Sequence, residues 1–116
     1  MYFPHILKKA QAVVDEHVGR DRLPDFGDIS RMPYITAVIR ETFRWRTVAP
    51  LAIPHAAIED DQYAGYFIPK GATVFALSQH IHEDEEFYPE HTTFRPERFL
   101  DENGRLNGLP HAGFGL

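Results

Sequence analysis

Pro33-Tyr-Ile-Thr-Ala-Val-Ile-Arg-Glu-Thr-Phe-Arg-Trp-Arg46 decides the fold class of this chain of 116 residues. Pro33 suits a first helical turn. At about 100° per residue, Tyr34, Ala37, Val38 and Trp45 share one side, while Ile35, Ile39 and Phe43 cluster nearly opposite. A helix that is apolar on two faces is expected to be sandwiched between neighbours inside a larger protein. Glu41 lies in the middle of the first stripe and Arg44 follows three residues later, so an opposite-charge pair is carried onto a partly buried face. If exposed, it is an ordinary helix pair adding about 0.2–0.5 kcal/mol. If buried, it requires further partners.

Upstream, residues 4–18 read as an amphipathic helix. Ile6, Ala10, Val13, Val14, His17 and Val18 recur at three- and four-residue steps, with Pro4 in the first turn and Gly19 as the stop. Gly19 to Arg31 carries Pro24, Gly27 and alternating charges without a sustained period, and reads as a polar loop. Downstream the period changes to two. Leu51 to Ile58, Tyr66 to Ile68 and Ala72 to Leu77 read as short strands. Pro69-Lys-Gly71 fits a type I turn with Pro second and Gly fourth, which closes the last two strands into an antiparallel hairpin. A short helical turn is expected at Asp84 to Tyr88, and beyond Pro89 the chain reads as irregular. No internal repeat is present.

Composition bounds the rest. With 43% apolar and 25% charged residues, the chain has the make-up of a globular protein. Nine Pro and eight Gly, mostly after Ala49, make the second half turn-rich. A net charge of -5 and the lack of a Lys/Arg block argue against nucleic acid or an anionic membrane surface as partner. No apolar run approaches the roughly 20 residues that span a bilayer. Met-Tyr-Phe-Pro-His5 lacks a basic region followed by an apolar one, so no membrane or secretion address is expected. With zero cysteines there is no disulfide, thiolate metal site or cysteine nucleophile. His80-x-His82 would place two imidazoles on one side of an extended stretch. No third or fourth ligand has a recognisable spacing, so solvated histidines beside the acidic turn Glu83-Asp-Glu-Glu86 are the simpler reading.

Glu41 and Arg44 alone are a weak motif, but they stand in an ordered series. Glu41-Thr-Phe-Arg-Trp-Arg-Thr-Val-Ala-Pro50 is followed by Ile53-Pro-His55, then Gly65-Tyr-Phe-Ile-Pro-Lys-Gly71, then Phe94-Arg-Pro-Glu-Arg-Phe99. This series resembles the cytochrome P-450 family of haem-thiolate monooxygenases, closest to its fungal members, and the resemblance covers essentially the whole chain. The expected fold class is therefore an α+β fragment of the mostly α cytochrome P-450 fold. It comprises two helices (about 4–18 and 33–46), short antiparallel strands (about 51–77) and an irregular meander. Residues 1–116 are then a partial domain running from the helix before the Glu-x-x-Arg helix to the start of the haem-binding loop.

The resemblance also implies roles. Glu41 and Arg44 are expected to join Arg98 in a buried triad that locks the meander to the core, with bidentate hydrogen bonds possible on both sides of the carboxylate. By its residues alone His55 is either an ordinary strand histidine or a donor to an anion; the resemblance implies contact with a haem propionate. Val48, Ala49, Leu51, Ala52 and Ile53 fall where a substrate-contacting segment over the haem is implied, although periodicity alone does not separate a pocket wall from core. Phe114 and Gly115, in His111-Ala-Gly-Phe-Gly-Leu116, look like the opening of the Phe-Gly-x-Gly-x-Arg-x-Cys loop on the haem side. Thr47, where the family often has Pro, and Glu85, where His-x-Asp-Pro is usual, are local departures.

The sequence stops before that loop's second glycine and lacks its cysteine, the thiolate ligand that favours O–O cleavage in the family. No catalytic residue and no metal ligand are thus expected in this chain, and haem b is expected in the full-length parent rather than stably on this segment. The parent would use an NADPH-dependent reductase to insert one oxygen atom from dioxygen into an apolar small molecule. By family it would be anchored to the endoplasmic reticulum membrane. The alternative is a truncated, non-catalytic binding or interaction module.

Overall fold

The computed structural model describes residues 3–110; Phe114 and Gly115 lie outside them. Helix α1 spans Pro4–His17, with Pro at its first turn. Ile6 is its buried residue, and Ala10, Val13, Val14, His17 and Val18 are half-buried along the same stripe. Gly19, at φ 80°, ends it: the left-handed conformation, which costs glycine nothing, lets its amide reach the Asp15 carbonyl at 3.1 Å.

The segment read as a polar loop contains a 3-10 turn, Phe26–Arg31. Its organising atom group is the Asp28 carboxylate, buried at 1% exposure. It accepts two bonds of 2.7 Å from Arg22, one of 2.9 Å from the Asp25 amide, and a further one from Arg31. Arg22, Asp25, Asp28 and Arg31 recur at every third position, which is the 3-10 period and the one sequence signal that foreshadows this turn.

Helix α2, Pro33–Trp45, is the centre of the structure. Tyr34, Ala37, Glu41 and Arg44 are its buried residues. Ala37 forms a small core with Tyr88 and Phe99, flanked by Leu100 and Leu109. The opposite face is covered only in part: Ile35 and Phe43 are half-buried and Ile39 is 48% exposed.

The strand region consists of two nested antiparallel pairs rather than the hairpin expected from Pro69-Lys-Gly71. Strand β1 (His55–Ala56) pairs with β4 (Thr73–Val74), with His55 opposite Val74. Inside that loop β2 (Asp61–Tyr63) pairs with β3 (Tyr66–Ile68). The tight turn is Ala64-Gly65, both at positive φ (49° and 83°), the combination that matches the twist of a two-residue hairpin. At the second turn the Ala72 amide binds the Pro69 carbonyl at 3.0 Å and Gly71 sits at φ 83°. Pro is therefore first and Gly third, a type II arrangement rather than type I. The strand at Tyr66–Ile68 has the expected bounds, whereas those expected at 51–58 and 72–77 shrink to two residues each, the former because Pro54 offers no amide to a ladder.

Helix α3, Ser78–His82, is a feature the alternating pattern hides. The expected turn at Asp84 to Tyr88 is present, closed by the Tyr88 amide on the Asp84 carbonyl at 2.8 Å. A 3-10 turn at Pro96–Phe99 and the loop around Asp101 complete the chain. There the Asp101 carboxylate accepts from the Asn103 and Arg105 amides at 2.9 and 2.8 Å.

The radius of gyration is 18.4 Å, with extents of 58 × 29 × 28 Å. A compact chain of this length has about 13 Å. The accessible surface of 8735 Å² likewise exceeds the roughly 6,500 Å² of a compact monomer of this mass. Residues 48–77 project from the helical part and carry most of the exposed apolar side chains, among them Ile53, Ile58, Tyr66 and Phe67.

Arg22 above all, with the Asp25 amide and Arg31, holds the Asp28 carboxyl far below the usual carboxylate range, against the opposing effect of burial. Its contribution to stability is therefore complete above about pH 4, the unfolded value, and is lost as pH falls through the depressed folded value. Asp28→Asn should lower the thermal unfolding midpoint at neutral pH. The gap from wild type should narrow as the titration runs below pH about 4, as circular dichroism melts would show.

Candidate functional site

The site is built around Glu41, which is 0% exposed. Its place on the inner stripe of α2 puts the carboxylate where the meander crosses the helix, out of reach of water. Arg44, one helical step away, binds it in bidentate fashion: Nε donates to Oε2 at 2.7 Å and Nη2 to Oε1 at 2.9 Å. The remaining Arg44 reach goes to backbone, with Nη1 donating to the His82 carbonyl at 3.0 Å and Nη2 to the His91 carbonyl at 2.8 Å. One side chain thus fastens α3 and the meander to α2.

Arg98 completes the triad by a different geometry from the double fork expected. Only its Nε donates to Glu41, at 3.2 Å. Its Nη1 donates to the Pro89 carbonyl at 2.9 Å, and Nη2 to the Glu90 and Thr93 carbonyls at 3.2 and 3.1 Å. The reason is competition: the loop at 89–93 offers three carbonyls within reach, of which only Glu90's has another donor among the described residues, the Thr93 amide at 2.9 Å, and the guanidinium binds all three. The Arg95 amide supplies Glu41 with a further donor at 2.8 Å. Burial pulls the Arg98 guanidinium below its ordinary value, a trend that Glu41 opposes.

Around this cluster the meander is fixed by aromatic and amide contacts. Trp45 Nε1 donates to the Thr92 carbonyl at 2.8 Å. Phe3 stacks on Phe94 with centroids 4.8 Å apart, and Trp45 meets both rings edge-on. Asn107 donates through Nδ2 to the Arg98 carbonyl at 2.8 Å, and the buried Tyr88 donates to the Pro110 carbonyl at 2.6 Å. Lys9 on α1 binds Glu97 at 2.7 Å and lies over the Tyr34 ring. None of these partners has a distinctive spacing in the sequence. The carbonyl acceptors in particular leave no residue signature at all.

The other candidates lie together on the projecting part, away from the triad. His55 is exposed on β1. Val48, Leu51 and Ile53 are 85%, 53% and 74% exposed, Ala49 is exposed and Ala52 half-buried, so these residues are surface and not core among the described residues. The backbone beneath them is held. The Ala52 amide binds the Ala49 carbonyl at 2.9 Å, with Ala52 at φ 53°, and the Gln79 amide of α3 binds the Pro50 carbonyl at 3.2 Å. His80 and His82 do not face one way, because their stretch is helical: His82 is buried and His80 exposed. Among the described residues no group of three His, Cys, Asp or Glu side chains is placed to hold a metal.

Arg98→Ala leaves a buried carboxylate short of a donor and strips the Pro89 and Thr93 carbonyls of theirs, and should cost about 3–5 kcal/mol of unfolding free energy. Arg98→Lys keeps the charge but not the fork and should recover only part of it. Urea titrations of the two variants would check both.

The family model for cytochrome P-450 matches residues 1–116. The chain is 46% identical over 120 residues to cytochrome P-450 monooxygenase 58 of Postia placenta, an alignment covering 98% of this chain and 23% of that protein. It is 49% identical over 105 residues to cytochrome P-450 monooxygenase COX2 of Coprinopsis cinerea, covering 90% of this chain and 20% of that one. Against cytochrome P-450 monooxygenase claR of Ampulloclitocybe clavipes it is 45% identical over 117 residues, covering 97% and 22%. The chain spans about a fifth to a quarter of the length of these curated relatives. A Glu-x-x-Arg helix locked by a second arginine from the meander, under a match of this extent, makes the chain a member of the cytochrome P-450 family.

Proposed function

We propose that these residues are the core-locking and substrate-facing segment of a haem-dependent monooxygenase that inserts one oxygen atom from dioxygen into an apolar organic molecule. The observation that carries this reading is Glu41, fully buried and shared by Arg44 and Arg98, which is the triad that the resemblance implies for locking the meander to the core. The haem would supply the oxygen chemistry, and the protein its position and a dry, shaped cavity.

The donor set fits such a group. His55 is exposed on β1, and Val48, Leu51 and Ile53, in the segment that leads into that strand, are exposed apolar side chains. A flat apolar ligand carrying carboxylates at one edge needs this combination of one donor and an aliphatic wall. His55 would hold a propionate, and the wall would exclude water and orient the substrate. Phe114 and Gly115, outside the described residues, would belong to the haem-binding loop.

Electrons would come from an NADPH-dependent reductase. The isolated chain, which has no cysteine, is expected to be inactive. The extended shape and the uncovered Ile39 face of α2 favour a segment of a larger fold over a self-standing binding module.

The full-length protein should give the carbon-monoxide difference band of a thiolate-bound haem, and Arg98→Ala should abolish haem loading; a loaded Arg98→Ala protein would refute the triad's role. His55→Leu should still load haem but release it roughly tenfold faster to apomyoglobin, as expected for the loss of one charge-assisted hydrogen bond. An unchanged release rate would remove His55 from the site.

A further inference from the structure

Thr47 stands between the end of α2 and the arch 48–53, and its hydroxyl joins two elements. Thr47 Oγ1 lies 2.7 Å from His82 Nδ1 and donates to the Phe43 carbonyl at 3.2 Å. The His82 side chain is buried, and its Nε2 has no hydrogen-bond partner. A buried N–H without an acceptor costs more than an unused ring lone pair, so the proton belongs on Nδ1. The chain then runs one way: His82 Nδ1–H donates to Thr47, and the Thr47 hydroxyl donates to the Phe43 carbonyl in the C-terminal turn of α2. Burial, and next the Arg44 charge, push the imidazole below its usual value, which keeps it neutral.

The same short helix holds the arch a second time. One turn before His82, the Gln79 amide binds the Pro50 carbonyl at 3.2 Å. Between these two points the backbone has little freedom, and the Ala49–Ala52 turn fixes the remainder. Val48 and Leu51 are therefore exposed side chains on a backbone tied by hydrogen bonds at Thr47, Pro50 and Ala52, and a surface held in this way selects shape rather than adapting to it. Helix α3 is itself tied to the triad, since the His82 carbonyl accepts from Arg44.

We infer that Thr47 and His82 are a positioning pair that sets the pose of the arch 48–53 and thereby the shape of apolar molecule accepted. The inference rests on the reading of that arch as a substrate wall. Neither residue touches substrate or haem; both act through the backbone of the arch. Thr47→Val removes the hydroxyl at nearly constant volume, and His82→Gln withdraws the donor from the Nδ1 position. Thr47→Ser and His82→Asn restore them.

The test uses the full-length haem-loaded protein and two probes read by optical titration: imidazole, which needs only the iron, and 1-phenylimidazole, whose ring extends to the wall. In Thr47→Val or His82→Gln, affinity for 1-phenylimidazole should fall about tenfold while imidazole stays within about twofold; this corresponds to roughly 1.4 kcal/mol at the wall alone. Thr47→Ser and His82→Asn should return the wild-type ratio. Val48→Phe and Leu51→Phe serve as direct wall variants. If these change the ratio and Thr47→Val and His82→Gln do not, the wall stands and the positioning pair is refuted. If none of the four changes it, the wall reading itself has failed and the inference with it. Loss of haem in the Ser and Asn variants as well would reveal a purely structural role and would also overturn the inference.

Discussion

A carboxylate with no access to water must find all its donors within the protein, and most of the described structure can be understood as the supply of donors to Glu41. Arg44 provides two from the same helix, Arg98 one from the 3-10 turn at Pro96–Phe99, and Arg95 one from its backbone. Each donor brings its own segment of chain. A buried carboxylate is costly, so the cluster is poor evidence for stability as such. What it supplies is register: the Arg95 amide and the Arg98 side chain reach the same carboxylate, so both points of the meander are fixed to one place on α2.

Helix α3 extends this constraint toward the projecting part. Arg44 holds the carbonyl at its end, while its Gln79 amide holds the arch and its His82 imidazole holds Thr47, so a chain of hydrogen bonds joins a buried charge to an exposed apolar edge. The small core of Ala37, Tyr88 and Phe99 adjoins this route, with the Tyr88 ring 5.5 Å from the Arg44 guanidinium carbon and 6.1 Å from the His82 ring. The projecting residues are ordered in backbone and uncovered in side chain. This is the condition expected of a surface completed by further polypeptide or ligand.

Much of this was legible in the residues. The two long helices, their caps and the inner stripe of α2 follow from periodicity, and the series of motifs around Glu41, His55 and Arg98 carried the family. The nested strand pairing was not legible, because the positive-φ turn falls on Ala64, a residue with no turn signature, whereas Pro69-Lys-Gly71 has a strong one. Helix α3 is too short to display a period. The mode of Arg98 binding was hidden for a deeper reason: its partners are carbonyls, which every residue has. The loop at Arg22–Arg31 was the opposite case, since its three-residue charge spacing was visible but only has meaning once a 3-10 turn is considered.

Arg98 grips the chain at Pro89, Glu90 and Thr93 through main-chain oxygens alone. The side chains at those positions are therefore left out of the lock. The lock asks little of the side chains at these positions, apart from the left-handed backbone that Glu90 adopts at φ 54°, and much of their register. A single inserted or deleted residue would move three acceptors at once. Length, rather than composition, is the heritable property of this loop, and an alignment of such sequences should show mismatches there far more often than gaps.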